Sequence, residues 1–156
     1  MEGEIVLGSD FAGFELKEKI KKYLIRCGYQ VSDLGMTDPD KPMPYHEVGY
    51  KIGKVVHEGR YRRGILICGS GMGLHISAGK WSGVYCALCE SVETAKRSRI
   101  ANNCNILAFG AFYVSEATAY EMVNVFLHTD FGEGMDADFT QKHRQWLDEM
   151  EHFEYQ

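Results

Sequence analysis

The sequence lacks a long hydrophobic run and a basic start. No apolar stretch approaches the roughly 18 residues that a membrane-spanning helix needs. The first residues include the acidic Glu2 and Glu4, whereas a secretory signal peptide begins with positive charge. We therefore expect no membrane partner and a cytoplasmic protein.

Positive charge is also scarce, since 17 Lys and Arg stand against 22 Asp and Glu and give a formal net charge of −5. A nucleic-acid-binding domain normally carries a basic surface, so we expect no nucleic-acid partner. Lys96, Arg97 and Arg99 form a local basic cluster. We interpret this cluster as a solvated helix face or as a contact with a small anion.

The cysteine pattern does not complete a metal site or a disulfide framework. The five cysteines are Cys27, Cys68, Cys86, Cys89 and Cys104. Cys86 and Cys89 have the C-x-x-C spacing, but no second pair or histidine cluster accompanies them. The sequence therefore predicts reduced thiols, no bound metal and no cofactor.

Short β-branched runs alternate with segments of helical apolar spacing. Leu16, Ile20, Tyr23, Leu24 and Cys27, for example, fall at i, i+4, i+7, i+8 and i+11. The pattern predicts strands at 5–7, 29–34, 64–68, 84–88 and 106–109, and further helices at 48–56, 71–78, 92–100 and 119–127. Short apolar strands separated by helices indicate a three-layer α/β/α sandwich with a Rossmann-like parallel sheet of about five strands. Ligands of such folds bind at the carboxyl ends of the strands.

An apolar run at 64–67 ends in Cys68 and continues into Gly69, Gly71 and Gly73. A strand that delivers a thiol to a glycine-rich turn lets backbone N–H groups surround an anionic ligand. A thiol in that field loses its proton more easily, so Cys68 is a candidate base or nucleophile. The alternative is a buried cysteine before a tight turn.

Several segments in order resemble the ribose-5-phosphate isomerase B family, which includes the galactose-6-phosphate isomerase subunits. They are 8–10 (GSD), 12–17 (AGFELK), 67–73 (ICGSGMG), 87–89 (ALC), 94–97 (TAKR), Asn102 and 105–110 (NILAFG). The similarity runs over roughly residues 4 to 134. It implies a metal-free aldose–ketose isomerase of a sugar or sugar phosphate that works through a cis-enediolate. It also implies a homodimer or higher oligomer whose site is shared between subunits.

The resemblance assigns roles to individual residues. Cys68 matches the cysteine that moves a proton between C1 and C2 of the sugar, and Ser70 matches a hydroxyl residue of the same loop. The N–H groups of Gly69, Gly71 and Gly73 would bind the enediolate oxygen. Asp10 and Asn102 match residues that bind sugar oxygens. An N-cap of the first helix is an equally good interpretation of Asp10.

The departures from the family are as informative as the matches. Phe11 and Ala101 replace two family histidines, and the one at 101 is thought to open the sugar ring. Met135 and Phe139 replace two phosphate-binding arginines. Met43 replaces the tyrosine of a Tyr-Pro pair, and Leu74 replaces a glutamate that is the base in some members. We therefore expect a substrate other than ribose 5-phosphate.

Spare polar residues and a C-terminal segment complete the predictions. His75, Tyr45 and His46 are possible site residues, with an ordinary exposed helix histidine as the alternative for His75. Residues 1–134 are expected to form a single isomerase-like domain, and 135–156 a helix that packs on a partner subunit. That helix carries an apolar stripe with two interspersed cations, namely Phe139, Trp146, Met150 and Phe153 with Lys142 and Arg144.

Two functions from different classes remain open at this stage. One is an aldose–ketose isomerase of a differently sized phosphosugar or an unphosphorylated open-chain sugar. The other is a catalytically weak sugar-binding or regulatory homologue, or one subunit of a hetero-oligomeric isomerase. Retention of Cys68 and Ser70 favours the first, and the replacements Ala101 and Met135 favour the second. A nucleotide-binding domain is disfavoured, because the glycines follow the third strand and not the first.

Overall fold

The computed structural model describes residues 4–153, in which five strands alternate with helices. The strands are β1 (Glu4–Ser9), β2 (Gln30–Asp33), β3 (Arg63–Cys68), β4 (Cys86–Leu88) and β5 (Ile106–Gly110). The helices are α1 (Phe14–Arg26), α2 (Tyr45–His57), α3 (Met72–Ala78), α4 (Val92–Asn102), α5 (Glu116–His128) and α6 (Ala137–Glu151). None of the helices described in this part of the chain is long and apolar enough to span a membrane.

All five strands pair in parallel, in the order β2-β1-β3-β5-β4. The predicted α/β/α sandwich with a five-stranded parallel sheet is therefore confirmed. The chain moves outward from β1 to β2 and then returns to β3, so the direction of the strand order reverses between β1 and β3. Ligands of open parallel sheets bind at such a reversal, outside the carboxyl ends of the strands. Asp10 and Cys68 stand at that edge.

Side chains alternate between the two faces of the sheet and form two cores. Leu7 and Ile65 pack under α1, α4 and α5, whereas Val6 and Leu66 pack under α2 and α3. All four are fully buried. Each such side chain contributes about 1.5–3 kcal/mol when it leaves water, so the central strands contribute strongly to the stability of the fold.

Two buried cations hold helices to the sheet. Lys17 Nζ of α1 donates to Asp33 Oδ2 at 2.6 Å and to the Met36 carbonyl at 2.7 Å. Arg99 of α4 is only 2% exposed and donates to the carbonyls of Thr129 and Cys104. Burial lowers the pKa of Arg99 to about 10. The interpretation of Arg99 as part of a solvated face or an anion contact is therefore wrong.

Helix α6 lies partly on its own chain. Leu147 is buried, and the Glu151 carboxylate accepts hydrogen bonds from Ser82 Oγ at 2.7 Å and from Gly83 N at 3.0 Å. Trp146, by contrast, is 47% exposed, and Met150 and Phe153 are exposed as well. The docking of 135–156 on a partner subunit remains a prediction.

Candidate active site

Cys68 ends β3 at the carboxyl edge of the sheet, and its thiol is held by the turn that follows. The residue is 4% exposed, and the backbone N–H of Gly71 donates to Cys68 Sγ at 2.9 Å. Gly71 has φ +81°, and a Cβ there would lie 2.6 Å from Leu88 Cδ1. Glycine is therefore required at this position, both for the turn and for the close contact.

The amide of Gly71 therefore contacts the thiol in this structure. Its role as a donor to the sugar oxygen remains a prediction. Ser70 is half-buried, and its Oγ accepts from Met72 N at 3.3 Å, which leaves the hydroxyl proton free to point elsewhere.

Two hydrogen bonds from the turn after β5 orient the glycine loop. Ala111 N donates to the Cys68 carbonyl at 2.8 Å, and Phe112 N donates to the Gly69 carbonyl at 3.0 Å. In a trans peptide unit the C=O and the following N–H point in opposite directions. The N–H groups of Gly69 and Ser70 therefore point away from this turn. Two adjacent amides are fixed in direction before any ligand binds.

Two aromatic rings also contact the glycine loop, one at Gly69 and the other at Gly73. A Cβ on Gly69 would lie 2.5 Å from Phe112 Cε2, and a Cβ on Gly73 would lie 2.3 Å from Tyr45 Cδ2. The rings thus occupy the space that side chains at Gly69 and Gly73 would fill. Phe112 is nevertheless 73% exposed, so one face of its ring remains open at the mouth of the site.

Asp10 follows β1 beside this loop. Its Oδ1 accepts from Gly13 N at 3.1 Å, so the carboxylate caps the turn that leads into α1. The helix itself begins at Phe14, four residues after Asp10, whereas an N-cap residue directly precedes its helix. Burial raises the pKa of the Asp10 carboxyl, and the N–H groups of Gly13 and Ala12 partly offset that effect. Gly13 is the N-cap residue of α1, so the N-cap interpretation of Asp10 is wrong, and its sugar-binding role remains a prediction.

Gly13 explains how α1 comes so close to Cys68. A Cβ on Gly13 would lie 2.1 Å from the Ile67 carbonyl oxygen and 2.9 Å from Cys68 N. The start of α1 therefore rests directly on the end of β3. This contact brings Asp10 to the same edge as the thiol and the glycine loop.

Asn102 lies elsewhere. It ends α4 just before Asn105, whose carbonyl accepts from Gly64 N at the start of β3. Because β3 rises about 3.3 Å per residue over six residues, its two ends are roughly 16 Å apart. Asn102 therefore lies at the amino edge of the sheet, across from Cys68 of the same chain.

His75 shares a cavity of about 390 Å³ with Asn102, Cys86 and Cys104. His75 Nδ1 is buried, and no hydrogen-bond partner for it is found among residues 4–153. Tyr45 and His46 are exposed and lie edge to face, with ring centroids 5.7 Å apart. The structure brings Tyr45, but not Asn102, to the glycine loop of the same chain.

The remaining cysteines differ from Cys68. Burial raises the pKa of Cys86, Cys89 and Cys104, that of Cys104 to about 12. Cys27 is exposed at the end of α1. Cys68 is thus the one cysteine that the fold delivers to a glycine-rich turn with an amide on its sulfur.

A family model described as Ribose/Galactose Isomerase matches residues 5–143. The chain belongs to the ribose/galactose isomerase family. Its structure is similar to that of Clostridium thermocellum ribose-5-phosphate isomerase B, with a TM-score of 0.86, 33% sequence identity and 95% of each chain covered. The predicted family and the predicted enzyme class, a sugar isomerase, are confirmed.

Two curated relatives in the family carry more specific names. The chain is 41% identical to a 4-deoxy-4-sulfo-D-erythrose isomerase of a Clostridium species, over 85% of this chain and 84% of that protein. It is 33% identical to a D-erythrulose-4-phosphate isomerase of Pectobacterium atrosepticum, over 88% and 91% respectively. Both are named for substrates other than ribose 5-phosphate.

Phe112 is the site residue that the sequence did not predict. Tyr45 was predicted as a possible site residue, but its contact with Gly73, like that of Phe112 with Gly69, joins distant elements and leaves no local pattern in the sequence. Arg97 lies against Met135 and Phe139, with Arg97 Nη1 3.7 Å from Met135 Sδ and Arg97 Cζ 5.3 Å from the centroid of the Phe139 ring. The sequence does not show that Arg97 is the cation beside the two apolar replacements at 135 and 139.

Proposed function

We propose that this chain interconverts the aldose and ketose forms of a four-carbon sugar that carries an anionic group, sulfonate or phosphate, on carbon 4. The two relatives named for such sugars support this substrate class. The observation that carries the proposal is Ala101, which replaces the residue expected to open a sugar ring.

The chemistry of the substrate explains that replacement. A four-carbon aldose closes a five-membered ring only through the hydroxyl on carbon 4. When that oxygen is esterified or replaced by a sulfonate, no such ring forms and the sugar remains open. An enzyme for this substrate needs no acid or base for ring opening. Ala101 and Phe11, which carry no titratable group, fit a substrate that arrives in open form.

Cys68 is the proposed base. Its thiolate takes the proton from the carbon beside the carbonyl, and the electron pair moves into a carbon–carbon double bond to give the enediolate. The resulting thiol then returns the proton to the neighbouring carbon, while a second proton passes between the two oxygens. The N–H groups of Gly69 and Ser70 have fixed directions and are the proposed donors to the enediolate. A preorganised donor of this kind is worth about 3 kcal/mol in the transition state.

A second subunit is the proposed source of Asn102. Asn102 and Cys68 of one chain lie at opposite edges of the sheet, so they share a site only if two chains pack together. Exposed apolar side chains on α2, α3 and α6 support a homodimer, among them Tyr50, Ile76, Trp146 and Met150. A different chain of the same fold is the other candidate partner.

Steady-state kinetics on three sugars test the substrate class. We expect kcat/KM for 4-deoxy-4-sulfo-D-erythrose or D-erythrulose 4-phosphate to exceed that for ribose 5-phosphate by ~10²-fold or more, equivalent to about 2.8 kcal/mol of transition-state binding. Comparison of the two four-carbon substrates identifies the anionic group. A ribose 5-phosphate value equal to or above the four-carbon values would contradict the proposal.

A further inference from the structure

Arg97 is an exposed cation with an unusual set of neighbours. Its guanidinium lies against Met135 Sδ at 3.7 Å and over the Phe139 ring at 5.3 Å. These are the two positions at which the family resemblance implies phosphate-binding arginines. A guanidinium from α4 therefore occupies the space beside both replaced residues. We infer that Arg97 binds the anionic group of the substrate, an inference that rests on the proposed function.

The surroundings of Arg97 leave its charge unneutralised. Among residues 4–153 no carboxylate pairs with Arg97 within 4.0 Å, although Glu93 stands one turn earlier on α4. A cavity of about 530 Å³ opens beside the guanidinium, lined by Glu93, Thr94, Lys96, Arg97 and Ile100. An aromatic face and a thioether hold a guanidinium in place but compete only weakly for its N–H donors. Met135 Sδ, a weak acceptor, takes one N–H of Nη1, and the other four donors stay available to an oxyanion.

The neighbouring cations are committed to other contacts. Lys96 Nζ pairs with Glu133 at 3.6 Å, and Arg99 is buried among carbonyl oxygens. Lys142 lies over the Trp146 ring at 5.8 Å, and Arg144 lies over the Phe131 ring at 5.4 Å. Neither Lys142 nor Arg144 contacts Met135 or Phe139 in the described hydrogen bonds and ring contacts. Arg97 is the cation that the fold brings to both replaced positions.

The position of Arg97 along α4 fits a contact with the substrate. Arg97 and Ala101 are four residues apart and so lie on one face of the helix. Ala101 stands where the resemblance implies the ring-opening histidine, so this face of α4 is the one expected to meet the sugar. Asn102 is five residues from Arg97, about 140° around the helix, and lines the separate cavity beside His75. The inference therefore places the anionic group on the face of Arg97 and Ala101.

The test compares Arg97→Met and Arg97→Lys with the control Arg144→Met. Each variant is assayed on D-erythrulose 4-phosphate, on 4-deoxy-4-sulfo-D-erythrose and on uncharged D-erythrulose. For Arg97→Met we expect the ratio of kcat/KM for the anionic sugar to kcat/KM for erythrulose to fall by roughly 10- to 100-fold, as for loss of one charge-assisted contact. Arg97→Lys should recover part of this ratio, because it retains the charge and loses the fork of donors.

A binding measurement separates this inference from the proposed function. Titration calorimetry with inorganic phosphate and inorganic sulfate should detect binding to the wild type and to Arg144→Met, and a loss of at least 10-fold in affinity for Arg97→Met. That result supports anion binding by Arg97 even if no four-carbon sugar is turned over. Unchanged anion affinity in Arg97→Met, or an equal loss in Arg144→Met, would overturn the inference.

Discussion

The backbone N–H of Gly71 donates to the Cys68 thiol at 2.9 Å, so the turn that shapes the loop also supports the sulfur. Gly71 is in the left-handed region, and its Cα faces Leu88 and Phe109, which leaves no room for a side chain. The same residue thus sets the turn, the packing against β5 and the hydrogen bond to the thiol.

Removal of the thiol should abolish turnover and leave the fold intact. We expect Cys68→Ala to lower kcat on the true substrate by ~10²- to 10⁴-fold, the usual effect of losing a positioned base. The thermal midpoint should fall by only several degrees, because the change removes one buried sulfur and leaves the Gly71 N–H without its acceptor. Cys27→Ser, which alters an exposed thiol at the end of α1, is the matched control and should keep full activity. Equal losses in the two variants would argue against a special role for Cys68.

Two inactive variants should complement each other if the site is shared. Cys68→Ala and Asn102→Ala homodimers should each be nearly inactive. Co-expressed and mixed at random, they should recover about a quarter of the wild-type rate, since half of the dimers are hybrids with one intact site. Sedimentation checks that the mixed sample is dimeric. The hybrid dimers can be purified by placing a different tag on each variant. If these hybrids are no more active than the two parent homodimers, the shared site is excluded.

Phe112 is predicted to position the loop. Removal of its ring in Phe112→Ala frees the space over Gly69, so the directions of the Gly69 and Ser70 amides relax. Because small misplacements are costly in catalysis, kcat should fall by roughly 10- to 100-fold while KM changes less. Phe112→Tyr should restore kcat. The neighbouring exposed Tyr113 provides the control, and a drop of similar size in Tyr113→Ala would point to general disruption of the turn.

Ionised Asp10 should lower the stability of the folded protein at neutral pH. Burial raises the pKa of its carboxyl above the ordinary 3.8, so ionisation of Asp10 destabilises the folded state relative to the unfolded chain. The carboxyl favours folding fully only below the unfolded pKa, and that contribution is lost as the pH rises through the folded pKa. Asp10→Asn stays neutral and keeps an oxygen for Gly13 N.

Thermal melts of Asp10→Asn should therefore show a higher midpoint than the wild type at neutral pH. The difference should vanish at a pH below 3.8, where the wild-type carboxyl is protonated in both states. Activity of the variant should fall if Asp10 binds sugar hydroxyls. A midpoint gain that is independent of pH would assign the effect to something other than ionisation.

Local signals in the sequence were enough for the fold and for the reactive loop. The glycine spacing after Cys68 predicted a strand that ends in a thiol, and β3 ends at that residue. The helical periodicity around Ile20 and Ile52 predicted helices on the two faces of the sheet, where both side chains are buried. Such patterns are visible because each one reports the surroundings of a single element.

Contacts between distant elements were not predictable in the same way. In the sequence, Arg99 resembles the nearby cations Lys96 and Arg97. In the structure Arg99 is buried and donates to the carbonyls of Thr129 and Cys104, and nothing in residues 96–99 distinguishes it from the other two cations. The ring of Phe112 reaches Gly69 from the far side of β5, across more than 40 residues of chain. The distance between Asn102 and Cys68 follows from the direction of α4, which periodicity does not reveal.

Proton exchange in heavy water tests the central claim most directly. The wild type is incubated in D₂O with D-erythrulose 4-phosphate or 4-deoxy-4-sulfo-D-erythrose, and the carbon-bound protons are followed by NMR. We predict deuterium at the carbon beside the carbonyl as the aldose and ketose interconvert, and its loss in Cys68→Ala. Exchange that persists in Cys68→Ala, or the absence of exchange with both four-carbon sugars alongside rapid exchange with ribose 5-phosphate, would contradict the account.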